Sequence, residues 1–484
     1  MLDLLDLNLN INENKVFKYF SEICTIPHGS GNMKKIADYC ENFAQKHSLQ
    51  YIRDNADNLI IYKSGCLGLE NAKPIILQGH LDMVCQCDQG TVIDFEKDGL
   101  SIFCDGDFIK AKGTTLGGDN GIAVAYIMAI LSSTDIPHPP IEAIFTTDEE
   151  IGLLGANALD TSVLKSKMMI NLDSETDDVL TVSCAGGQDT VLTLPFTAKE
   201  KSGTVITITI SGLLGGHSGV EIDKGRINAN ILMGRILNHL STYDFDIISI
   251  NGGTKRNAIP DSCVAEILVL DTASILKELE NYSEILYLEL KSRESGLSIE
   301  YKTVESTATC LCDNAKQKLL DLLNIVPNGI MEMSNEIEGL VETSLNLGVL
   351  ETSENAVSLA FALRSNKKTA MDYLESRLIS IAKTIGATAE TSGFYPPWEY
   401  KENSPLRELY KKCYKEQNGS DIKVEAIHAG LECAVFSSTI KDLDCISVGP
   451  NMFDVHTPKE KLSISSTVGT FNLLLKVLKE SVNL

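Results

Sequence analysis

The chain has 484 residues, of which 43% are hydrophobic and 22% are charged, and this composition is typical of a globular protein with two or three domains. Acidic residues number 66 and basic residues 42, and the formal charge of −24 argues against nucleic acids and anionic membranes as partners. No apolar run reaches the ~18 residues of a membrane-spanning helix, and residues 1–6 lack the basic start of a signal peptide. The 13 Cys residues include no CxxC pair and therefore indicate free thiols in a cytoplasmic protein.

The first 186 residues alternate between apolar runs typical of buried strands and stretches typical of helices. Residues 14–50 are predicted to be helical apart from a break at 26–32. Strands are predicted over residues 59–62, 74–77, 141–147 and 168–172, and helices over residues 122–132 and 152–159. This alternation predicts an α/β fold with a mostly parallel sheet that is flanked by helices. In such sheets, ligands bind at the carboxyl ends of the strands.

After about residue 186 the pattern changes, because strands that alternate between apolar and polar residues replace the continuous apolar runs. We interpret residues 187–393 as an inserted α+β domain of two related halves, and residues 394–484 as a return to the first domain. Within the insertion, strands are predicted over 205–210, 246–250, 263–270, 285–290 and 356–363, and helices over 226–240, 315–325 and 368–385. The returning segment is predicted to contain helices over 406–417 and 465–481 and strands over 423–427 and 445–448.

The apolar run 141–147 ends in three consecutive acids, Asp148, Glu149 and Glu150. Acids at the end of a buried strand repel one another and resist transfer out of water. No Lys or Arg lies between residues 131 and 164, so compensation must come from another part of the chain or from a metal ion. A solvated acidic turn is the alternative. Because adjacent residues of a strand point to opposite sides, we expect Glu149 and Glu150 to face different ways.

Five further residues could complete a metal site. His80 and Asp82 lie two apart on extended chain, so both side chains face the same way, and Asp82 could hold the ring nitrogen that binds no metal. Asp119 follows two glycines at a predicted helix start, where it could bridge two cations or simply cap the helix. Asp173 ends a strand and His456 lies in a late loop, with a solvated turn and a surface histidine as the alternatives. Two imidazoles with three or four carboxylates suit two zinc ions.

Eight short motifs occur in a fixed order along the chain. They are HLD (80–82), GGDNG (117–121), TTDEEIGLLGA (146–156), NLDSE (171–175), GGHSG (215–219), RNAIP (256–260), HAGLEC (428–433) and VHTP (455–458). In this order the motifs resemble the co-catalytic zinc peptidase family of dipeptidases, aminoacylases and carboxypeptidases, over nearly the full length of the chain. Each motif alone is a weak signal, whereas the ordered set is highly specific.

The resemblance implies two zinc ions per subunit, for which cobalt or manganese could substitute. The implied ligands are His80 with Asp173 on one ion, Glu150 with His456 on the other, and Asp119 bridging both. Glu149 would be the general base, which takes a proton from the water between the metals and passes it to the leaving amine. Asp82 would be the partner that orients His80.

The resemblance also implies that the inserted domain acts as a lid and supplies contacts to the substrate. His217 would help to stabilise the tetrahedral oxyanion, and Asn257 would contact the carboxylate of the substrate. Many family members carry an Arg in an LDxR pattern, but residues 270–273 of this chain are LDTA, which leaves Arg364 as the nearest substitute. Two further residues are expected to line the pocket, His428 and Gly430.

We therefore expect a dinuclear zinc dipeptidase that hydrolyses unblocked dipeptides, of the Xaa-His kind or more broadly, through a hydroxide held between the metals. The alternatives are an N-acyl amino acid amidohydrolase with the same metal centre and, disfavoured by the retained ligands, a non-catalytic binding protein. The resemblance implies a homodimer, although a doubled lid could also serve a monomer. Whether His217 acts in its own subunit or in a neighbouring one stays open.

Overall fold

The computed structural model describes residues 9–484, so the segment 1–6, which lacks the basic start of a signal peptide, lies outside the described residues. The chain forms two compact units. The first runs to Cys184 and also takes in Tyr400–Ala426 and Leu431–Leu484, whereas the second comprises Ala185–Glu399 and Ile427–Gly430. The sequence predicts an insertion at 187–393. Compared with this prediction, the second unit begins two residues earlier, ends six residues later and also includes residues 427–430. The roles expected of the two domains stay predictions.

The helices and strands of the first unit lie towards both ends of the chain, and those of the second unit lie between them. The first unit begins with α1 (Ile11–Cys24), α2 (Lys34–Lys46), β1 (Gln50–Arg53), β2 (Leu59–Lys63), β3 (Ile75–His80), β4 (Ile102–Asp105), β5 (Phe108–Ala111), α3 (Gly118–Ser132), β6 (Ile141–Thr146), α4 (Leu154–Ala158), β7 (Met168–Asn171) and β8 (Val179–Cys184). The second unit contains β9 (Gly186–Pro195), β10 (Ala198–Ser211), β11 (Gly216–His217), α5 (Ala229–His239), β12 (Phe245–Gly252), β13 (Ala258–Ile259), β14 (Cys263–Val269), α6 (Thr272–Leu290), β15 (Ser298–Leu311), α7 (Asp313–Ile325), β16 (Gly329–Met333), β17 (Val341–Thr352), β18 (Ala356–Ser365), α8 (Lys368–Ile385) and β19 (Thr388–Tyr395). The chain ends with α9 (Pro405–Asn418), β20 (Lys423–Ile427), α10 (Glu432–Thr439), β21 (Asp444–Ser447), β22 (Met452–Phe453), β23 (Lys461–Ser463) and α11 (Ile464–Glu480). In the part of the chain that the structure describes, no helix has the length and apolar character needed to cross a bilayer.

An eight-stranded sheet in the order β1-β2-β6-β3-β7-β21-β8-β20 forms the core of the first unit. The four strands from β6 to β21 are parallel, whereas β1, β2 and β8 pair antiparallel with their neighbours. Every residue of β3, β6 and β7 is buried, as expected of strands that are covered on both faces. The predicted α/β fold is therefore confirmed, with the expected parallel strands confined to the four at the centre of the sheet.

Helix α3 can lie against β3 because Gly79 leaves room for it. A Cβ atom at Gly79 would lie 2.7 Å from the Cβ atom of Ala123 and 2.6 Å from Oδ1 of Asn120. Asn120 accepts a hydrogen bond from His80 N at 3.2 Å and donates one to Leu172 O at 2.8 Å. The start of α3 is therefore fixed against the ends of β3 and β7, where predicted metal ligands lie.

The second unit is built on a nine-stranded sheet in the order β15-β10-β14-β12-β17-β18-β9-β19, with β16 beside β17. The pairs of this sheet are antiparallel. Side chains from α5, α6, α7 and α8 join strand side chains in one hydrophobic core. This is the expected α+β organisation, and the relation between its two halves stays a prediction.

The strand predicted at residues 285–290 is wrong, because these residues form the last turns of α6. Asp271 caps this helix, and its Oδ1 accepts a hydrogen bond from Ser274 N at 3.2 Å. Buried side chains then recur at helical spacing, at Ile275, Leu279, Leu286 and Leu290. The window ILYLEL is rich in apolar and aromatic residues, and only the longer spacing identifies the helix.

Candidate active site

His80 ends β3 with 1% of its side chain exposed, and its two ring nitrogens face different partners. Nδ1 lies 3.0 Å from the backbone oxygen of Asp82 and 3.4 Å from Asp82 Oδ1. Nε2 lies 3.2 Å from Asp119 Oδ1 and 3.5 Å from Asp173 Oδ1. One ring nitrogen is therefore held by Asp82, and the other points at two carboxylates.

Asp119 lies between two histidines. Its Oδ1 faces His80, and its Oδ2 lies 3.1 Å from Nε2 of His456, which also lies 2.9 Å from Oε1 of Glu150. The structure thereby brings all five predicted metal ligands together in two groups that share Asp119. Within each group the ligand atoms lie within 4.8 Å of one another, and the groups are His80, Asp119 and Asp173, and Asp119, Glu150 and His456.

The loop after β6 carries Glu149 and Glu150. Since β6 ends at Thr146, the two acids lie beyond the strand, and the expectation that they face different ways is wrong. A carboxylate oxygen of each lies within 4.8 Å of a ring nitrogen of His80. The carboxylate of Asp82 fixes this loop, because it accepts hydrogen bonds from Glu149 N at 2.9 Å and from Glu150 N at 3.2 Å. Asp82 therefore orients both glutamates as well as His80.

Asp148, the first of the three consecutive acids, has a separate contact. Its Oδ1 accepts a hydrogen bond from Gly31 N at 2.6 Å, and its φ angle of 51° turns the chain at this point. Ser30 Oγ donates to Asp82 Oδ2 at 2.9 Å. The break between α1 and α2 is thus attached to the loop of the three acids, and Asp148 is one of the attachment points.

Carboxylates dominate the charge of this cluster. In the described part of the chain, the only ion pairs of Asp119, Glu150 and Asp173 are with His80 and His456. Burial alone would lower the pKa of His80, but Asp173 and Asp119 outweigh it and raise this pKa well above its ordinary value. Hydrogen bonds to Asp119 and Glu150 raise the pKa of His456 to about 11. Such a set of nitrogen and oxygen donors, with clustered negative charge and without lysine or arginine, fits divalent metal ions.

The second unit brings other predicted residues together. His217 on β11 pairs with β13, and the backbone oxygen of the neighbouring Asn257 accepts a hydrogen bond from Ser218 N at 2.9 Å. The ring Nδ1 of His217 accepts hydrogen bonds from Gly219 N at 3.1 Å and Val220 N at 3.2 Å. Because an accepting nitrogen carries no proton, the neutral ring carries its proton on Nε2 and can donate from there.

Arg364 on β18 is 9% exposed and forms no ion pair within residues 9–484. Its Nη1 donates to the hydroxyl of Tyr395 at 2.8 Å, while its Nε is buried without a hydrogen-bond partner. A cavity of about 430 Å³ is lined by Arg364, Asn257 and Tyr395, among others. Gly430 gives the Tyr395 ring its space, because a Cβ atom there would lie 3.0 Å from the ring. A buried guanidinium without a counter-charge is unfavourable and indicates an anionic ligand.

His428 belongs to the same cluster. It is 6% exposed, and its Nε2 lies 2.7 Å from Ser344 Oγ. Burial, Arg364 and His217 lower the pKa of His428 to about 3. Burial and Arg364 also lower the pKa of His217. Both rings are therefore neutral near pH 7, in contrast to the histidines of the metal-ligand cluster.

Comparison with known proteins places the chain in a family. The sequence model of Peptidase family M20/M25/M40 matches residues 76–480. The chain belongs to this family. This M20/M25/M40 peptidase is 39% identical over 466 residues to the cytosol non-specific dipeptidase of Escherichia coli (strain K12), covering 95% of this chain and 96% of that protein. The resemblance to a family of metallopeptidases that includes dipeptidases is thereby confirmed.

Solved structures agree with this assignment. The crystal structure of aminoacylhistidine dipeptidase from Vibrio alginolyticus matches with a TM-score of 0.91 at 36% identity, and 96% of each chain is covered. A tripeptidase from Staphylococcus aureus matches with a TM-score of 0.58 at 15% identity, covers 98% of this chain and 100% of that chain, and shows the shared fold alone.

A buried polar network of the M20/M25/M40 peptidase was not predicted from its sequence. Glu432, at the start of α10, is 0% exposed. Its Oε2 accepts hydrogen bonds from Gln78 Nε2 and, at 2.7 Å, from Thr146 Oγ1, and Gln78 Oε1 accepts one from Asn171 Nδ2 at 2.6 Å. The network links β3, β6 and β7 at or near the carboxyl ends of these strands, which lead to the predicted ligands. The one sequence signal for this network is a glutamate at the start of the apolar run ECAVF.

A second unpredicted carboxylate belongs to Glu460, four residues after His456. It is 3% exposed and accepts hydrogen bonds from the backbone of the glycine-rich loop that opens α3. The sequence offers only a weak signal for this contact, because an acid in an apparent surface turn is common. The partners are more than 300 residues apart, and only the folded chain shows them.

Proposed function

We propose that this peptidase hydrolyses unblocked dipeptides at a site for two divalent metal ions, with zinc as the expected metal. The position of Asp119 supports this most strongly, because its two carboxylate oxygens face different imidazoles, at 3.2 Å from His80 Nε2 and 3.1 Å from His456 Nε2. His80 and Asp173 would hold one ion, Glu150 and His456 the other, and Asp119 would contribute to both. The nitrogen and oxygen donors suit zinc, cobalt or manganese.

Glu149 is the proposed general base and acid. When bound, the metal ions would polarise the scissile carbonyl and make a water molecule easier to deprotonate. Glu149 would accept the proton of that water and then deliver it to the nitrogen of the leaving amine. Burial, together with Asp173 and Glu432, raises the pKa of Glu149 well above its ordinary value. A raised pKa suits a carboxylate that must keep a proton between two steps of the reaction.

Asp82 is proposed to keep the catalytic groups in register. Its carboxylate contacts the backbone N–H groups of Glu149 and Glu150 and faces Nδ1 of His80. With Nδ1 held in this way, Nε2 of His80 is left to face a metal ion. Asp82 thus acts through three neighbours and does not itself exchange a proton.

Arg364 is the proposed partner of the substrate's C-terminal carboxylate. It stands in for the arginine of the LDxR pattern, because its guanidinium is buried, has an unpartnered Nε and lines the same cavity as Asn257. His217 would donate from Nε2 to the carbonyl oxygen as negative charge develops there. His428 would shape the cavity through its contact with Ser344, and Gly430 through the space that it leaves for the Tyr395 ring. Both roles stay predictions.

The names of two relatives support the proposed substrate class. One is named a non-specific dipeptidase and the other an aminoacylhistidine dipeptidase. We therefore propose a preference for dipeptides with free ends, with Xaa-His peptides among the substrates. A cytoplasmic location agrees with the name of the Escherichia coli relative and with the free thiols of the chain. A homodimer stays a prediction.

A substrate panel tests the proposal. Chelator-treated protein is reloaded with zinc and assayed with Ala-His, β-alanyl-histidine, dipeptides without histidine and N-acetyl-histidine. We expect zinc-dependent hydrolysis of the free dipeptides and no hydrolysis of the acetylated compound. Hydrolysis of the acetylated compound alone would identify an N-acyl amino acid amidohydrolase. Zinc-loaded protein that binds dipeptides and cleaves none of them would be a non-catalytic binding protein.

A further inference from the structure

The carboxylate of Glu460 is surrounded by backbone N–H groups. Its Oε2 accepts hydrogen bonds from Leu116 N at 2.7 Å and Gly117 N at 3.2 Å, and its Oε1 from Gly118 N at 2.8 Å and Asp119 N at 3.4 Å. With 3% of the residue exposed, water cannot substitute for these contacts. One side chain therefore satisfies four consecutive N–H groups at the start of a helix, which otherwise would have no acceptor within α3.

The local sequence cannot supply this cap. Gly117 occupies the N-cap position of α3, has a φ angle of 67° and offers no side chain to accept a hydrogen bond. The next two residues after Gly118, Asp119 and Asn120, have φ and ψ angles outside the helical range. The Asp119 carboxylate therefore depends for its direction on a backbone that helix formation alone does not fix. Glu460 holds this backbone through its N–H groups, in addition to the contacts of the Asn120 side chain with His80 and Leu172.

Glu460 also belongs to the turn that carries His456. The turn connects β22 to β23, which pair antiparallel, and Glu460 immediately precedes β23. Glu460 N donates to Thr457 O at 3.1 Å, which closes the turn on itself. The backbone of Glu460 is thus fixed beside one imidazole, while its side chain holds the loop of the carboxylate that this imidazole contacts.

We propose that Glu460 is a positioning residue that directs the Asp119 carboxylate at both histidines, so that the two halves of the metal centre form together. This inference rests on the proposed dinuclear function. Without the Glu460 carboxylate, Asp119 Oδ1 keeps the buried His80 as a neighbour, whereas the contact of Oδ2 with His456, which is 46% exposed, is free to open. The ion at Glu150 and His456 is therefore the one that is lost first.

Glu460→Gln tests the proposal, with Glu142→Gln as the matched control. Glutamine retains the size of the side chain but turns one acceptor oxygen into a donor, which cannot face backbone N–H groups. Glu142 is 4% exposed and also accepts backbone hydrogen bonds, from Lys165 N at 2.9 Å and Ser166 N at 3.0 Å. It lies at the start of β6, whereas the predicted ligands follow the other end of this strand. Both variants lose a buried carboxylate that accepts backbone hydrogen bonds, but only Glu460→Gln loses it beside Asp119.

Three measurements on the full-length protein separate positioning from simple stability. For Glu460→Gln we expect a ~10–100-fold weaker affinity for one of two zinc ions in chelator competition and a similar fall in kcat, with KM changed less than about twofold. Hydrogen exchange of the metal-free protein should accelerate at residues 116–119. Glu142→Gln should lower the melting temperature and leave zinc affinity, kcat and exchange at 116–119 as in the wild type. Glu460→Asp, which keeps the charge, should recover part of the lost zinc affinity.

Two results would overturn the inference. The first is a Glu460→Gln protein that binds both zinc ions with wild-type affinity and differs from wild type only in melting temperature, as the control does. The second, which covers a Glu460→Gln protein that fails to fold, is a folded Glu460→Ala variant with both zinc affinities and the exchange at 116–119 unchanged. Wild-type protein that binds two zinc ions but cleaves no dipeptide would refute the proposed function. The zinc affinities and the hydrogen exchange would still test the role of Glu460.

Discussion

The two units of the chain place histidines in opposite electrostatic surroundings. In the first unit, carboxylates raise the pKa of His80 and of His456. In the second unit, burial and the charge of Arg364 lower the pKa of His217 and of His428. The same side chain is therefore held as a proton-binding group in one unit and as a neutral hydrogen-bonding group in the other.

This difference indicates what each cluster can bind. Three carboxylates with two imidazoles attract cations. A buried guanidinium with two neutral imidazoles attracts an anion and leaves N–H donors for a carbonyl oxygen. A dipeptide with free ends carries groups of both kinds, an anionic carboxylate and a carbonyl that a metal ion can polarise. The histidines proposed to bind metal and those proposed to contact substrate thus differ in the charge of their neighbours.

Glu149→Gln should give the largest effect and tests the carboxylate side of the comparison. Because the amide can neither accept nor deliver the proton, kcat should fall by ~10²–10⁴-fold while KM and the metal content change little. Steady-state kinetics and metal analysis on the same sample measure this. Loss of a metal ion together with activity would show instead that Glu149 is a ligand, as its distance from His80 also permits.

Arg364→Met should give the next largest effect and tests the cationic side. Loss of charged hydrogen bonds of ~1.5–3 kcal/mol should raise KM for dipeptides by roughly 10–100-fold. Dipeptide amides, which have no terminal carboxylate, should be affected far less. Arg256→Met is the matched control, because Arg256 lines the same cavity but is paired with Asp189 at 2.8 Å. An equal rise in KM for acids and amides would contradict the role of Arg364.

The pH dependence of stability should differ in sign between the two units. The pKa of His428 is about 3 in the folded protein, against 6.5 for a free side chain, so the unfolded chain gains a proton first as the pH falls. Wild type should therefore lose stability relative to His428→Gln from about pH 6.5 downwards, by about 2 kcal/mol near pH 5, and show no such difference above pH 6.5. Urea unfolding of both proteins across this range measures the difference. A constant difference at all pH values would contradict a buried neutral ring.

His456 should show the opposite behaviour in metal-free protein. Its pKa is raised to about 11, so the folded protein holds the proton more tightly than the unfolded chain. The stability that this proton contributes is complete below about pH 6.5 and is lost as the pH rises towards 11. Comparison of wild type with His456→Gln, both without metal, should show the wild-type advantage shrinking over that interval. A wild-type advantage that grows with pH would refute the carboxylate contacts of His456.

Asp148→Asn should give the smallest effect, and it shows whether the number of acids or their position matters. Asparagine tolerates the positive φ angle of 51° and can still accept the hydrogen bond of Gly31 N. Activity should stay within about twofold of wild type. A loss of activity comparable with that of Glu149→Gln would place Asp148 in the metal centre. It would contradict the separate role given to Asp148 among the three consecutive acids.

Sequence motifs predicted residues that the structure brings together. His80, Glu150 and Asp173 lie at or just beyond the ends of buried parallel strands, which meet at one edge of the sheet. Asp119, in the first turn of α3, and His456, in the turn between β22 and β23, were predicted from their motifs alone. The motifs failed for Glu432 and Glu460, because the partners of these carboxylates are backbone groups and side chains hundreds of residues away. They also failed for the orientation of Glu149 and Glu150, since the chain leaves the strand after Thr146 and the alternation of a strand no longer applies. The helix at 285–290 was missed because six residues are too short a window to separate the two periodicities.

The network of Gln78, Thr146, Asn171 and Glu432 has a consequence for laboratory evolution. It places amide, hydroxyl and carboxyl groups in a layer that neighbouring positions fill with Ile, Leu and Met. Replacing buried polar groups together with apolar groups of similar shape is often neutral or stabilising. A selection for heat resistance alone would therefore favour apolar side chains at these four positions. The strand ends would then lose the hydrogen bonds that align them. The most heat-resistant descendants of this protein are expected to be among its poorest peptidases.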